Sequence, residues 1–153
     1  MRFQGLKIGI PKEIMDGENR VSATPETVKL MTQEGAVVLV ERSAGEGSFF
    51  TDEAYKNAGA TLIDKAADVF AMADIILKVK EPLYTTDGAH EIDRMRPGQY
   101  LITFLHPASP SNHVMIRKLA AHGVISLTLD SIPRITRAQT MDALTSMSTV
   151  AGY

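Results

Sequence analysis

The chain contains no cysteine. Disulfides, thiolate catalysis and cysteine-based zinc sites are therefore excluded, and a reducing compartment is compatible. Neither sign of charge is in excess: 16 basic against 18 acidic residues give a formal net charge of −2. So even a balance leaves no electrostatic footprint for nucleic acid or an anionic membrane surface. Long apolar runs are also missing. The longest are strand-sized, far below the ~20 residues a membrane-spanning helix needs, and the N-terminal segment lacks the apolar core of a signal peptide. No direct membrane insertion and no nucleic-acid partner are expected. Phosphate-cradling loops are absent too: the sequence has no Gly-x-Gly-x-x-Gly, no Walker A and no Gly-x-Ser-x-Gly. Gly45-Glu46-Gly47-Ser48 looks superficially like a nucleotide loop, but it lacks a third glycine and the next helix signal waits until Thr51, so it reads as a turn. There is no repeat, low-complexity tract or linker. The 153 residues read as one soluble, cytoplasmic domain with a real core.

What is present is an alternation of short apolar runs and helix signals. Lys7–Pro11, Ala36–Val40, Ala60–Ile63, Asp74–Val79, Gln99–Leu105 and Val124–Leu129 read as strands, most too apolar to have one wet face. Between them, Thr24-Pro25-Glu26 opens a helix that ends near Gly35, with Val28 and Met31 on its apolar side. Thr51-Asp52-Glu53 opens a second that ends at Gly59. Segments 64–72, 87–95 and 111–122 read as helical, the last with Met115 and Leu119 on one side. This spacing predicts an α/β fold: an open, mainly parallel, Rossmann-like or flavodoxin-like sheet flanked by helices.

In such sheets ligands bind beyond the carboxyl ends of the strands. Arg20 follows the first strand, Lys78 and Lys80 follow the fourth and His106 the fifth. Period-two alternation points Lys78 and Lys80 the same way. These groups could bind a carboxylate and polarise a carbonyl, with His106 as acid or base. After the sixth strand, Arg134, Arg137, Gln139 and Asp142 fall within nine residues. A guanidinium fork, an amide and a carboxylate suit a ligand bearing hydroxyls, an amide or phosphate, and equally a solvated loop with helix caps. His90, His113 and His122 lie in helical stretches without metal-ligand spacing and read as surface residues; no metal site is expected.

Four motifs, in order along the chain, carry a resemblance: 7–13 (KIGIPKE), 18–25 (ENRVSATP), 43–48 (SAGEGS) and 76–82 (ILKVKEP). They resemble the amino-terminal domain shared by alanine dehydrogenase and the alpha subunit of proton-translocating NAD(P) transhydrogenase, from about Lys7 to Tyr153. Segment 132–147 looks like the transhydrogenase loop that reaches across to NAD(H). That implies Arg134, Gln139, Asp142 and Thr145 as nucleotide-contacting residues, with Thr145 where serine is commoner. Lys80 and His106 look instead like alanine dehydrogenase, which implies Arg20 and Lys80 as substrate-binding residues and His106, with Lys80, as catalytic. The resemblance further implies a following Rossmann domain that carries most of the NAD(H) site, beginning directly after Gly152-Tyr153. It also implies NADP(H) on a partner subunit, membrane transhydrogenase subunits as partners, a homodimer, and a peripheral place at the inner membrane through those partners. A stand-alone module binding a small carboxylate is the remaining class.

Overall fold

A computed structural model describes residues 1–143 and residue 152. Its six strands are β1 (Lys7–Ile10), β2 (Val37–Glu41), β3 (Thr61–Ile63), β4 (Ile75–Leu77), β5 (Tyr100–Thr103) and β6 (Ile125–Thr128). They form one sheet in the order β3-β2-β1-β4-β5-β6, with every pair parallel. The sequence left the strand order open between two doubly wound patterns; this is the Rossmann order, which reverses between β1 and β4.

The helices are α1 (Pro25–Gln33), α2 (Asp52–Asn57), α3 (Ala66–Met72) and α4 (His113–Ala121). Thr24 and Thr51 cap the first two as their sequence requires, their hydroxyls accepting from the N–H groups of Thr27 and Ala54. α1 and α2 lie on one face of the sheet, where Val28 and Tyr55 pack with Ile8, Ile10, Val38 and Val40. The other face carries α3, α4 and a short 3-10 turn, where Val69, Phe70, Ile92 and Leu119 pack with Ile76 and Leu101. Successive strand residues thus feed opposite cores, as the period of two demands. Gly9 is what lets α3 close on β1. A Cβ there would stand 2.8–2.9 Å from side-chain atoms of Ala73, Ile76 and Val69, inside any real contact.

Two expectations fail on the β4–β5 connection. Segment 87–95 is not an α-helix; it holds a turn around Gly88 and a 3-10 turn, Glu91–Arg94. Asp87 and Asp93 bond to nearby main-chain N–H groups, those of Ala89 and His90, which favours turns over a continuous helix. His90 is not on the surface. It is 5% exposed, its Nδ1 accepts the N–H of Ile92, and its ring meets Tyr84 edge-on. Burial, with Lys118 nearby, lowers its basicity. Nor is His122 plainly a surface residue: its Nε2 lies 2.9 Å from the carbonyl of Met95. No helix among the described residues is long and apolar enough to cross a membrane.

Candidate active site at the carboxyl edge of the sheet

Parallel strands deliver all their following loops to one edge, so the residues after β1, β4, β5 and β6 meet there. The floor of this edge is ionic. Lys78 leaves β4 and buries its ammonium completely, 3.1 Å from Glu13 Oε2 and 3.1 Å from Glu91 Oε1. Glu13, from the loop after β1, also accepts the main-chain N–H of Val79 at 2.6 Å and of Lys80 at 3.4 Å. Glu91 accepts the N–H of Leu83 with its other oxygen. Burial pushes the Glu91 carboxyl up, with Lys78 opposing. The Lys78 ammonium is therefore paired within the floor, although the residue also lines the larger of the two cavities beside Arg20.

Above the floor, Arg20 lies fork to fork on Glu18, with Nε 2.8 Å from Oε1 and Nη2 2.6 Å from Oε2. The guanidinium holds the Glu18 carboxyl down to about 2, with Lys80 assisting, which places the Lys80 charge near the pair. Arg20 lines a cavity of about 290 Å³ with Thr24, Phe50, Phe104 and Leu129. On its other side it lines one of about 200 Å³ with Lys12, Glu13, Asn19 and Gly47. Gly45-Glu46-Gly47-Ser48 is a turn, as expected, and packs closely: a Cβ on Gly47 would sit 2.8 Å from the carbonyl oxygen of Asn19.

His106 stands at the end of β5 in the left-handed region (φ +47°), its ring stacked on Phe104 with centroids 6.0 Å apart. Its Nδ1 is 2.9 Å from Asp130 Oδ1, and its Nε2 is 3.9 Å from Glu81 Oε2, a buried oxygen that takes no hydrogen bond. Asp130 Oδ2 accepts the N–H groups of both Leu105 and His106, each at 2.9 Å, and the Thr128 hydroxyl. Burial pushes the Asp130 carboxyl up, but those donors and the imidazole outweigh it and hold it below the usual range. The neutral tautomer that fits donates Nδ1–H to Asp130 and leaves Nε2 as the basic nitrogen. Sequence reasoning passed over Asp130, Glu81 and Glu13. Only their places just after β6, β4 and β1 could have singled them out.

Beyond β6 the chain forms a 3-10 turn, Thr136–Met141. Arg134, Ile135, Thr136, Gln139 and Asp142 line a second cavity of about 290 Å³. Asp142 faces this cavity while its neighbour Ala143 faces the one lined by Arg20, so the two adjoin along this segment. Arg137 takes no part in either lining, and Thr145 lies outside the described residues. Among the described residues no cluster of His, Asp or Glu could hold a metal ion.

A doubly wound parallel sheet with charged groups gathered beyond its carboxyl edge defines an α/β domain of the kind dehydrogenases use. The chain belongs to the alanine dehydrogenase/PNT N-terminal domain family, whose model matches residues 9–151. It is 40% identical over 148 residues to the NAD(P) transhydrogenase subunit alpha of Cereibacter sphaeroides, covering 97% of this chain and 27% of that protein. It is equally 40% identical over 147 residues to the alanine dehydrogenase of Mycobacterium tuberculosis, covering 96% and 37%. Among solved structures, a transhydrogenase from Sinorhizobium meliloti superposes with a TM-score of 0.85 at 38% identity, over 96% of this chain and 42% of that one. An L-alanine dehydrogenase gives 0.83 at 32%, over 96% and 38%. The chain thus spans between about a quarter and two-fifths of the length of these relatives, which are oxidoreductases of both branches.

Proposed function

We propose that residues 1–153 form the N-terminal domain of a proton-translocating NAD(P) transhydrogenase alpha subunit, which passes hydride from NADH to NADP. The observation that carries this reading is the shared cavity of Arg134, Gln139 and Asp142. A fork of donors, an amide and a carboxylate on one wall suit ribose hydroxyls, an amide or a phosphate. NAD(H) supplies the redox chemistry when bound; these residues would hold and orient it and help exclude water. In this reading most of the NAD(H) site lies in a Rossmann domain following this one, and NADP(H) sits on a partner subunit. The whole would be a homodimer held at the inner membrane by its partners. In the full-length protein, Gln139→Ala is expected to weaken NADH binding by about 10-fold, the loss of one hydrogen-bonding partner for the cofactor. A full-length protein that exchanges no hydride between NADH and an NADP analogue would sink this reading, and an unchanged KM for NADH in Gln139→Ala would remove Gln139 from the site.

A second reading is favoured by one specific observation, the His106–Asp130 pair at the same carboxyl edge of the sheet as Arg20 and Lys80. An imidazole oriented by a carboxylate, with its far nitrogen 3.9 Å from Glu81 Oε2 and not hydrogen-bonded to it, has the arrangement of a general acid/base. Arg20 and Lys80 would then bind a small 2-oxo acid, as in an alanine dehydrogenase. Alanine-dependent NADH formation that disappears in His106→Ala, with a folded protein by circular dichroism, would establish it over the first reading.

A further inference from the structure

The 3-10 turn Glu91–Arg94, which carries Glu91 into the ionic floor, is capped by an imidazole. His90 holds the N-cap position, and its Nδ1 accepts the main-chain N–H of Ile92 at 3.2 Å. Its own N–H donates to Asp93, closing a capping box. Such positions are ordinarily filled by Ser, Thr, Asp or Asn, whose oxygens accept throughout the neutral range. A ring nitrogen accepts only while it lacks a proton. In the imidazolium both nitrogens are donors, so Nδ1–H and the Ile92 N–H would face each other.

The surroundings favour the neutral ring. It is buried, and Tyr84 from the segment after β4 meets it edge-on with centroids 4.6 Å apart. Lys118 reaches across from α4, its ammonium 5.8 Å from the centre of the Tyr84 ring and 2.9 Å from both Asp93 oxygens. Burial first and Lys118 second hold the basicity of His90 below the ordinary histidine range, with Asp93 opposing. The other charges of the turn are engaged elsewhere, Arg94 with Asp87 and Glu91 with Lys78. The cap also reaches toward the candidate site. Glu91 Oε2 accepts the N–H of Leu83 at 2.9 Å, and the Glu91 N–H returns a bond of 2.9 Å to the Leu83 carbonyl. Leu83 follows Lys80 by three residues on a segment without regular structure. Cap, floor and the backbone behind Lys80 are thus one connected unit.

We propose that His90 is a proton-operated latch: a proton on its Nδ1 breaks the cap on Ile92, opens the turn Glu91–Arg94 and loosens the Leu83–Glu91 clamp behind Lys80. The latch depends on neither functional reading. A buried neutral histidine contributes stability that is present above the ordinary imidazole range and is lost as pH falls through it toward the folded value. Glu91 works the other way, because burial raises it and acid favours its buried form. Opening of the turn by acid therefore comes from His90 and not from Glu91.

The test is amide hydrogen exchange in the full-length gene product, read by mass spectrometry at single residues and corrected for the intrinsic effect of pH. Protection at Leu83 and Ile92 is expected to fall by about 10-fold between about pH 6.5 and 5.5, the most that one proton per opening can give over one pH unit. Leu39 and Val40 in β2 should keep theirs. In His90→Asn, whose amide oxygen accepts from Ile92 at every pH, the fall should disappear. Constant protection in the wild type overturns the proposal, and so does an asparagine variant that loses protection as the wild type does. A second measurement needs no variant. Exchange of the His90 C2 hydrogen follows titration of the ring, and its midpoint should coincide with the midpoint of amide loss. Midpoints about one pH unit or more apart would likewise overturn the latch. Neither readout uses a cofactor or a substrate, so the latch can fail while the functional reading stands, and the reverse.

Discussion

Lys78→Met is expected to destabilise the domain by about 3–5 kcal/mol at neutral pH, the cost of leaving buried carboxylates without their cation. In urea this appears as a fall of about 2 M in the unfolding midpoint, for a slope of about 2 kcal/mol/M. The size follows from the geometry. One ammonium stands between two carboxylates whose side chains are both 2% exposed, so removing it strands two charges at once. The deficit has a signature. Glu91, already pushed up by burial, can relieve it by taking up a proton, so the gap between variant and wild type should narrow as pH falls toward the ordinary glutamate range. A deficit that stays constant from pH 7 to pH 4.5 would show that lost packing, not stranded charge, is responsible.

In the wild type two carboxylates pull stability in opposite directions with pH. Glu91 is raised by burial, so its contribution is full below the ordinary glutamate range and is lost as pH rises through its folded value. Glu18 is lowered to about 2 by Arg20, so its contribution is present above the ordinary range and disappears as pH falls toward 2. Arg20 is half exposed, and solvent screening discounts that second contribution. The buried cluster should therefore shape the pH profile above the ordinary glutamate range, and the rim pair only in strong acid.

The second large effect is expected at Asp130. Asp130→Ala removes the acceptor for two main-chain N–H groups and for the imidazole, and should cost about 2–4 kcal/mol. Those two N–H bonds hold His106 in the left-handed region, which costs a non-glycine residue about 1 kcal/mol or more. Amide exchange at Leu105 and His106 should accelerate well beyond the global change, because the strand end is released locally. Asp130→Asn, which keeps an acceptor oxygen, should recover a large part of the loss. If the alanine variant exchanges like wild type at both amides, Asp130 does not hold this strand end.

The scaffold was legible because its signals are local. Strands announce themselves as apolar runs, and Thr24-Pro25 and Thr51 mark helix starts by chemistry contained within three residues. The cleft was legible to the extent that topology sends every loop to one edge. Local turn-forming bonds from Asp87 and Asp93 account for part of the misreading, and partners far along the chain for the rest. Lys78 reads as a strand-end cation until Glu13, 65 residues earlier, reaches it. Segment 87–95 reads as a helix until Glu91 is drawn inward to Lys78 and His90 into the core. Asp130 gained a role only because it meets His106, 24 residues away. Long-range electrostatics leaves no period in a sequence, whereas hydrophobic alternation does.

The ionic floor joins the loop after β1 to the loop after β4, the two strands between which the sheet reverses its order. Main-chain N–H groups are tied into it, so the gap between the halves of the sheet is set by charges already paired with one another. A small acid and a dinucleotide would meet the same foundation. Under the two functional readings proposed above, discrimination between them would fall to side chains outside that foundation: Arg20, Lys80, His106, Arg134 and Gln139.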